Sequence, residues 1–256
     1  MSLPDHRGKG DRTMNEQRST NPAFIRVIDF ETTGFVDDEN AEVIELGRVD
    51  LDLRTLRIGN AWSALAKPTG PIPPVTMAVH HITDPMVQNC PKASDLWPAF
   101  WEGADDSIIV AAHNAEHEQA FVDAGARRWI CTYRCAATIW PDAPSHGNQV
   151  LRYWLGFDES GDFDPAMASP PHRALPDAYV TAFLMREIMM ARPIDELVEI
   201  SKHPPLLRIM NFGKHKGTAF EDAPSDYLYW IANKSDLKRD VKHTAAHWLR
   251  KREGLA

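Results

Sequence analysis

Short hydrophobic runs separated by polar turns fill the first part of the chain. FIRVIDF (24–30) is a β-branched run, and AEVIELGRVDLD (41–52) and TLRIGNAWSALAKP (55–68) continue the pattern, so each run predicts a strand. Polar residues 52–54 predict a turn between the second and third strands, and the proline-rich residues 68–75 predict a loop. The folded part of the chain is therefore expected to begin with three consecutive strands.

From residue 93 onward the hydrophobic spacing alternates between helical and strand-like. Leu96, Trp97, Phe100 and Trp101 recur at helical spacing within residues 93–103, and we interpret these side chains as core rather than as a surface that stacks on bases. Strands followed by alternating helices and strands predict a mixed sheet flanked by helices, an α/β fold. The further predicted elements are strands at 107–113 and 127–133 and helices at 114–125, 149–157 and 173–191.

The same pattern divides the chain into four parts. Residues 1–22 are polar and without periodicity, which predicts a disordered leader. Residues 23–192 form the main domain, and residues 193–206, which contain a double proline, are expected to be a linker. Residues 207–256 are expected to form a small α+β module, with a glycine-rich hairpin and two helices, the first of them capped by Asp226.

The composition is ordinary for a soluble globular protein, with 43% hydrophobic and 25% charged residues. No run of about 18 apolar residues predicts a membrane span, so no membrane partner is expected. The three cysteines, Cys90, Cys131 and Cys135, are too few for a disulfide framework and lack the spacing and histidine partners of a zinc site. We therefore expect structural thiols in a cytoplasmic protein.

Charge is unevenly spread along the chain. The formal net charge of −8 by itself argues against a nucleic-acid partner. Residues 202–256, however, hold 11 Lys+Arg against 6 Asp+Glu, a net +5, whereas residues 1–201 hold 17 against 30, a net −13. An acidic body joined to a basic segment suits a carboxylate-rich metal site beside a module that tolerates phosphate, although ordinary surface variation would produce the same numbers.

Two carboxylates lie on one face of the first predicted strand. Asp29 and Glu31 are two residues apart in IDFETTG (28–34), so both side chains leave the same face, while Ile28 and Phe30 point to the other face and can pack in the core. Carboxylates so placed repel each other unless a cation neutralises them, and hard divalent ions such as Mg²⁺ prefer oxygen ligands. The run ends at a strand exit, where open α/β sheets bind ligands. Alone, the pair is more typical of a solvated edge strand.

Two later segments carry further polar groups. In HRALPDA (172–178), His172 precedes a helix and Asp177 lies in its first turn, so the histidine is free to reach a bound water. Histidine is the usual general base near neutral pH. AAHNAEHEQAF (111–121) follows a buried strand and holds two histidines and two glutamates within six residues. Each segment alone is a weak signal.

Taken in order, DFETTGF, HNAEHEQAF and HRALPDA resemble the three motifs of the DEDDh 3′–5′ exonucleases, the DnaQ-like proofreading superfamily. That family carries DxETTG on its first strand, HNAxFDxxFL after a strand, and HxAxxDA at a late helix. The resemblance covers about residues 24–190, and MAVHHITDPMV (77–87) and residues 131–157 are similar to intermediate stretches of the family. It implies a ribonuclease H-like exonuclease domain over residues 23–192.

The resemblance further implies a two-metal phosphodiester hydrolase that releases nucleoside monophosphates from a 3′ end. Two Mg²⁺ or Mn²⁺ ions would be its cofactors, and His172 would be the general base that activates the attacking water. Together with His172, the implied catalytic residues are the four implied metal ligands Asp29, Glu31, Glu118 and Asp177. The implied substrate-binding residues are Thr32, Thr33, His80, Ile82, His113 and Asn114.

The second motif raises the question of which glutamate takes part. The family pattern HNAxFD places Glu116 at a variable position and Glu118 at the aspartate. Helix geometry agrees, because Glu118 lies three and four residues before Phe121 and Val122 on the inward face, and Glu116 lies about 200° away at about 100° per residue. We therefore expect Glu118 to be the ligand and Glu116 to be solvated. Glutamate in place of the family's aspartate extends the side chain by about 1.5 Å, which would weaken the second metal site.

Residues 210–249 are similar to the small C-terminal module of exodeoxyribonuclease X-type proteins, the group to which the likeness is strongest. Lys214, His215 and Lys216 lie between two glycines in this module, without the GxxxxGK[ST] spacing of a P-loop. This loop would contact a phosphate backbone, or it would be a soluble turn on a folding or protein-docking module. The sequence favours neither role.

Several functional hypotheses stay open. A free exonuclease that favours single-stranded 3′ ends of DNA is the first, and a proofreading subunit that acts with a DNA polymerase is the second. An exonuclease of RNA 3′ ends is the third, because no motif reports contacts to a 2′-hydroxyl. A catalytically weak nucleic-acid-binding protein, whose basic segment makes the contacts, comes from a different class.

Overall fold

A mixed five-stranded sheet forms the centre of the protein, for which a computed structural model describes residues 22–35 and 38–254. The predicted leader, residues 1–22, lies outside the described residues except for its last position. The strands are β1 (Phe24–Thr32), β2 (Val43–Asp52), β3 (Ile58–Leu65), β4 (Ile109–Ala112) and β5 (Arg128–Cys131). They are arranged in the order β3-β2-β1-β4-β5.

Helices flank this sheet, which confirms the predicted α/β architecture. Along the described residues, none of them is both long enough and apolar enough to span a membrane. The α-helices are α1 (Pro74–His80), α2 (Asp84–Val87), α3 (Ala93–Phe100), α4 (Glu116–Phe121), α5 (Thr132–Ile139), α6 (Asn148–Trp154), α7 (Ala174–Ala191), α8 (Ile194–Ser201), α9 (Ser225–Lys234) and α10 (Arg239–Arg252).

Strand directions bring distant segments of the sequence to one edge of the sheet. β1, β2 and β3 pair antiparallel, whereas β4 and β5 are parallel to β1 and follow longer connections. Val27 pairs with Ala111, so the chain leaves β4 one residue later, beside Asp29. The sheet pairing therefore places the segment after β4, which contains α4, close to the carboxylates of β1.

The two faces of β1 enter different cores. Ile25 and Val27 pack on the α7 side with Phe183, whereas Ile28 and Phe30 pack on the opposite side around α3, as the alternation predicted. Asp29 and Glu31 continue the α7 face beyond the end of its apolar core. The aromatic residues of α3 are core, as expected: one is fully buried and the others are packed against the same cluster, namely Phe100, Trp97 and Trp101.

Element boundaries differ from the sequence-based expectation in two regions. The helix expected over 114–125 is limited to the six residues of α4, and the strand expected over 127–133 ends at Cys131 because α5 begins at the next residue. Residues 74–80 and 84–87, around the proline-rich loop, also form short helices. In both of those helices a proline occupies the first turn, where its missing N–H and fixed φ are tolerated.

The expected linker at 193–206 contains a packed helix. Pro193 is the N-cap of α8, and Leu197 is fully buried in the core on the α7 side. The hydroxyl of Ser201 accepts a hydrogen bond from the backbone N–H of Cys131 at 2.8 Å, which covers the edge of β5. The double proline follows this helix and does not mark a free connector throughout. The domain boundaries stay predictions.

The C-terminal module has its own small core, formed where α9 crosses α10. Its fully buried side chains include Phe220, Leu228 and Ile231. In place of a full hairpin, the described residues contain one isolated antiparallel bridge, between Ile209 and Ala219. Asp226 is the second residue of α9 rather than its cap, because the helix begins at Ser225 after Pro224, whose fixed φ suits a helix start.

Gly47 allows α7 to approach the sheet next to the β1 carboxylates. It pairs with Asp29 across β1 and β2, and a Cβ at this position would overlap backbone atoms of Ala174 and Leu175. The first turn of α7 therefore reaches the sheet only because position 47 has no side chain.

We expect the substitution Gly47→Ala to lower the free energy of unfolding by about 1–3 kcal/mol, because a methyl group inserted into a packed site forces the backbone to move. Urea unfolding monitored by circular dichroism would measure the change. Gly59→Ala on β3 is the matched control, since nothing lies within 4 Å of a Cβ at that glycine. Equal stabilities of the two variants would contradict the close approach of α7.

Candidate active site

Three carboxylates converge where β1 leaves the sheet. One carboxylate oxygen from each of Asp29, Glu31 and Asp177 lies within 4.8 Å of the other two. The first two come from alternate positions of β1, and the third comes from the first turn of α7. All three side chains are partly buried. The structure therefore brings together three of the four carboxylates that the sequence analysis named as metal ligands.

Glu118 supplies a fourth carboxylate, near enough for its charge to act on Asp29. It is not one of the carboxylates whose oxygens all lie within 4.8 Å of one another. The residue is only 2% exposed, and its Oε2 atom has no hydrogen-bond partner among the described residues. A buried carboxylate oxygen without a partner is costly, so it requires either a proton or a cation. Glu116 is exposed and pairs with Arg134 at 3.0 Å and Arg239 at 2.6 Å. The burial contrast agrees with the expectation that Glu118 is the inward residue.

Burial, together with the charges of neighbouring carboxylates, raises the pKa values of Asp29, Glu31 and Glu118. Burial, followed by the charges of Asp177 and Glu118, holds the pKa of Asp29 well above its ordinary value. Burial, and then the charge of Asp177, raises the pKa of Glu31 to about 8. Burial raises the pKa of Glu118 to about 8 as well, and the charge of Glu31 adds to this shift. The charge of Arg173 lowers the pKa of Glu31 but does not offset the effects of burial and repulsion.

A divalent cation fits this donor set. Clustered carboxylate oxygens are the ligands that hard cations prefer, and Oε2 of Glu118 is a buried oxygen without any other partner. Use of divalent metal ions is a property of the exonuclease class to which the three motifs point. The residues that could hold such an ion are Asp29, Glu31, Asp177 and, from α4, Glu118.

Asp177 is oriented by two hydrogen bonds. Gln149 of α6 donates from Nε2 to Oδ1 at 2.9 Å, and the backbone N–H of His172 donates to Oδ2 at 2.8 Å. Burial raises the pKa of Asp177, and both hydrogen bonds oppose that shift. Arg152 supports Gln149 by donating to Oε1 at 3.3 Å, and it is itself held in a bidentate pair with Asp158. Sequence reasoning missed Gln149, because a glutamine on a helix carries no local signal.

A second missed contact fixes the start of α7. The buried carboxylate of Glu45 on β2 accepts hydrogen bonds from the Arg173 guanidinium at 2.8 and 2.6 Å and from the Ala174 N–H at 3.0 Å. This pair joins residues 128 positions apart in the sequence. It holds the helix that carries Asp177 against the strand next to β1.

His172 lies at the open side of the carboxylate group. It is exposed and has a left-handed backbone conformation with φ of 58°, immediately before the start of α7. Its backbone N–H donates to Asp177. This position suits a group that accepts a proton from water, and the role of His172 as general base stays a prediction.

Four of the residues expected to bind substrate make contacts within the protein itself, namely Thr32, Thr33, His80 and Ile82. The Thr32 hydroxyl donates to Gly34 O at 2.6 Å, and the Thr33 hydroxyl accepts from the N–H of Glu42 at 2.9 Å. Ile82 is fully buried in a cluster beneath β2, and its N–H donates to Nδ1 of His80, which is also buried. Burial lowers the pKa of His80, so its ring is held neutral. These residues shape the loops beside β1, and the structure offers no exposed surface of Ile82 to a nucleotide.

His113 also has a structural role. Its Nε2 donates to the carbonyl of His146 at 2.9 Å, so in a neutral ring Nδ1 must accept, and the hydroxyl of Thr132 donates to it at 3.0 Å. Burial lowers the pKa of His113 to about 4, which keeps the ring neutral. Asn114 is exposed with φ of 70° and precedes α4 rather than starting it. A contact from Asn114 to substrate stays a prediction.

Comparison with known families identifies the class of protein. A family model described as Exonuclease matches residues 27–185, which contain all four carboxylates and His172. The chain belongs to this exonuclease family.

Individual relatives agree with that class. The chain is 30% identical over 236 residues to Exodeoxyribonuclease 10 of Escherichia coli (strain K12), covering 88% of this chain and 99% of the relative. It is 28% identical over 172 residues to DNA polymerase III subunit epsilon of Aquifex aeolicus (strain VF5), covering 64% and 79%. A solved structure, Exonuclease X in complex with 5′ overhanging duplex DNA, superposes with a TM-score of 0.57 at 29% identity, over 69% of this chain and 99% of that one. These likenesses confirm the ribonuclease H-like fold and the assignment as a 3′–5′ exonuclease.

Proposed function

We propose that this enzyme removes nucleotides one at a time from the 3′ ends of DNA strands and releases nucleoside monophosphates. The observation that carries the proposal is the convergence of Asp29, Glu31 and Asp177 beside the buried, unpartnered carboxylate of Glu118. DNA as the substrate is supported by the names of the relatives, Exodeoxyribonuclease 10 and a DNA-bound Exonuclease X. A cytoplasmic location belongs to the same proposal and is supported by three cysteines that are all free thiols.

Mg²⁺ or Mn²⁺ is the proposed cofactor, with two ions expected from the family resemblance. Asp29, Glu31, Glu118 and Asp177 would hold the ions, and the longer side chain of Glu118 is expected to loosen the ligand set of the second one. When bound, such ions neutralise charge on the phosphate and activate water for attack.

The protein's own groups would orient and deprotonate the nucleophile. His172, at the open side of the group, would accept the proton of the attacking water at a ring nitrogen. Its backbone N–H fixes one oxygen of Asp177, and Gln149 fixes the other, so the base and the carboxylate keep one relative orientation. The donated hydrogen bonds also favour the ionised form of Asp177.

A single-stranded 3′ end is the proposed preferred substrate, because a terminal phosphodiester must be inserted among recessed, partly buried carboxylates. The backbone after β1, at Thr32 and Thr33, and the exposed Asn114 would line the space for the terminal nucleotide. The recessed 3′ end of a 5′-overhanging duplex is a second substrate to test, since that is the DNA in the Exonuclease X structure.

A cleavage assay with matched oligonucleotides tests the proposal. Single-stranded DNA, 5′-overhanging duplex DNA and RNA of one sequence, each labelled at the 5′ end, would be incubated with Mg²⁺ or Mn²⁺. The expected result is stepwise shortening from the 3′ end that requires the metal and is faster on DNA than on RNA. Faster cleavage with Mn²⁺ would agree with a loosened second site. Release of the labelled 5′ nucleotide, or cleavage of RNA alone, would contradict the proposal.

A proofreading subunit is a second candidate function, favoured by the similarity to DNA polymerase III subunit epsilon. Its chemistry would be the same, and only the partner differs. Co-elution of the full chain with a DNA polymerase on size-exclusion chromatography would support this candidate, and independent elution with full activity would support a free exonuclease.

A further inference from the structure

Two stacked aromatic rings lie on α9, in a part of the protein that the catalytic site does not use. The ring of Trp230 stacks on that of Tyr227, with centroids 5.6 Å apart and planes inclined by 18°. The two residues are three positions apart on one helix, so they share a face. Trp230 is 44% exposed, whereas Tyr227 is mostly buried in the module core. An exposed ring supported from below in this way can accept a further planar group.

A glycine-flanked basic loop, residues 213–217, packs against the same rings. Nζ of Lys214 lies 5.1 Å from the centroid of the Tyr227 ring, and the His215 ring lies 4.6 Å from it. Gly213 has a φ of 65°, and a Cβ there would overlap Oη of Tyr227, so only glycine lets the loop close onto the tyrosine. The side chains of Lys214 and Lys216 are exposed. We call Lys214, Lys216, Tyr227 and Trp230 the aromatic–basic surface.

The charge of the module suits a polyanion. Residues 207–256 hold 10 Lys+Arg against 6 Asp+Glu, a net +4, whereas residues 1–206 hold 18 against 30, a net −12. Lys214 and Lys216 supply two of the ten basic residues, and six more lie at the N-cap of α10 or within it. Three of the six acidic residues lie just before or within the first turn of α9, namely Glu221, Asp222 and Asp226.

We propose that the aromatic–basic surface binds single-stranded nucleic acid, as a second site that holds the substrate strand away from its 3′ end. A base would stack on Trp230, and phosphates would contact Lys214 and Lys216. Proteins that bind single strands without sequence preference combine these two features, a cationic path for the backbone and aromatic rings for the bases. A protein partner is disfavoured, because lysine is depleted in the cores of protein–protein interfaces. The identity of the strand rests on the proposed function, but its binding does not require hydrolysis.

Binding by the full chain in EDTA, where hydrolysis is not expected, tests the proposal. Fluorescence anisotropy would be measured with a labelled single-stranded DNA of about 30 nucleotides, longer than one binding site of this kind. The test variant is Lys214→Ala/Trp230→Ala. The matched control is Tyr229→Ala/Lys238→Ala, which removes another exposed aromatic ring of the same helix and one exposed lysine at the start of α10. Tyr229 lies about 200° around the helix from Tyr227 and about 100° from Trp230, and Lys238 lies beyond the end of α9, so the control leaves the surface intact.

The test variant is expected to bind about tenfold more weakly than the wild type, while the control binds like the wild type. The slope of log affinity against log salt should fall by about 0.7 in the test variant, one phosphate contact on a single strand. Its KM on the long oligonucleotide should rise about tenfold at unchanged kcat, with no change on a substrate of about four nucleotides.

Unchanged affinity of the test variant would overturn the proposal and leave the surface to a protein partner. Equal weakening by the test and control variants would also overturn it, since general charge would then explain the binding. A wild type that binds DNA in EDTA but does not shorten it with Mg²⁺ would contradict the proposed function and leave the proposed binding surface standing. Circular dichroism would confirm that both variants are folded.

Discussion

The variant Asp29→Asn is expected to lose DNA hydrolysis by about 10³-fold or more and, without metal, to be more stable than the wild type at about pH 8. Activity falls because Asp29 is the carboxylate on which the charges of the other three all act, so it lies at the centre of the expected metal site. A metal ion stabilises the charge of the transition state by several kcal/mol, and loss of this effect lowers the rate. Stability rises because a neutral amide of the same shape removes one of four mutually repelling charges.

The raised pKa values of the carboxyl groups determine whether the free energy of unfolding rises or falls with pH. Between the ordinary carboxyl value and about 8, where the pKa values of Glu31 and Glu118 lie, the folded state holds more protons than the unfolded state. The free energy of unfolding of the metal-free wild type therefore falls as pH rises through this window. The free energy of unfolding of the Asp29→Asn variant should fall less over the same range, because the variant lacks one of the carboxyl groups whose pKa is raised.

Thermal unfolding in EDTA at about pH 5 and pH 8, with and without Mg²⁺, would measure this effect beside the cleavage assay. Mg²⁺ should stabilise the wild type at pH 8 more than the variant, because ligand binding to the folded state raises its stability. Asp95→Asn, an exposed carboxylate on α3, is the control and should change neither property. A destabilised Asp29→Asn variant would show that Asp29 has a structural partner and that the repulsion is not present.

Replacing His172 is expected to lower kcat by about 10²–10⁴-fold while metal binding is retained, since general bases contribute about that much. The φ of 58° at this position strains alanine but is tolerated by asparagine, so His172→Asn is the sharper variant and His172→Ala the second one. Both keep the backbone N–H that donates to Asp177.

Single-turnover cleavage would report the rate, and calorimetric titration with Mn²⁺ would report the metal site. His203→Ala, an exposed histidine outside the site, is the matched control. Turnover like that of the wild type in both His172 variants would exclude this residue as the base. Loss of metal binding together with activity would instead make its role structural, through the orientation of Asp177.

The sequence was informative where a pattern is local. Alternation along β1 correctly placed Asp29 and Glu31 on one face and Ile28 and Phe30 on the other, because strand geometry has a fixed period of two. The helical aromatic spacing of α3 likewise identified core residues. These inferences needed only neighbouring residues and an element type.

Contacts between distant segments could not be predicted in the same way. Gln149 reaches Asp177 from a different helix, and Glu45 meets Arg173 across 128 positions, so no window of sequence contains either pair. The double proline near residue 204 suggested a linker, but the apolar face that buries Leu197 decided the structure. His113, a motif residue expected at the substrate, has ring contacts to Thr132 of α5 and to the carbonyl of His146 that no local pattern indicated, and its role at the substrate stays a prediction.

Glu118 is the residue where this chain departs from the family's aspartate. It is buried, its Oε2 is unpartnered, and burial raises its pKa to about 8, so the longer side chain remains directed into the site rather than into solvent. If Glu118 binds the metal, its carboxyl group must lose a proton when the cation binds.

Proton release on metal binding tests the central claim, that these carboxylates together form a divalent-cation site. Calorimetric titration of the full chain with Mn²⁺ at about pH 7, in two buffers of different ionisation enthalpy, gives the number of protons released. We predict about one proton or more per protein, because groups with pKa values near 8 are protonated before the metal binds. Glu118→Gln should release fewer. Metal binding without proton release, or no binding at all, would contradict the account.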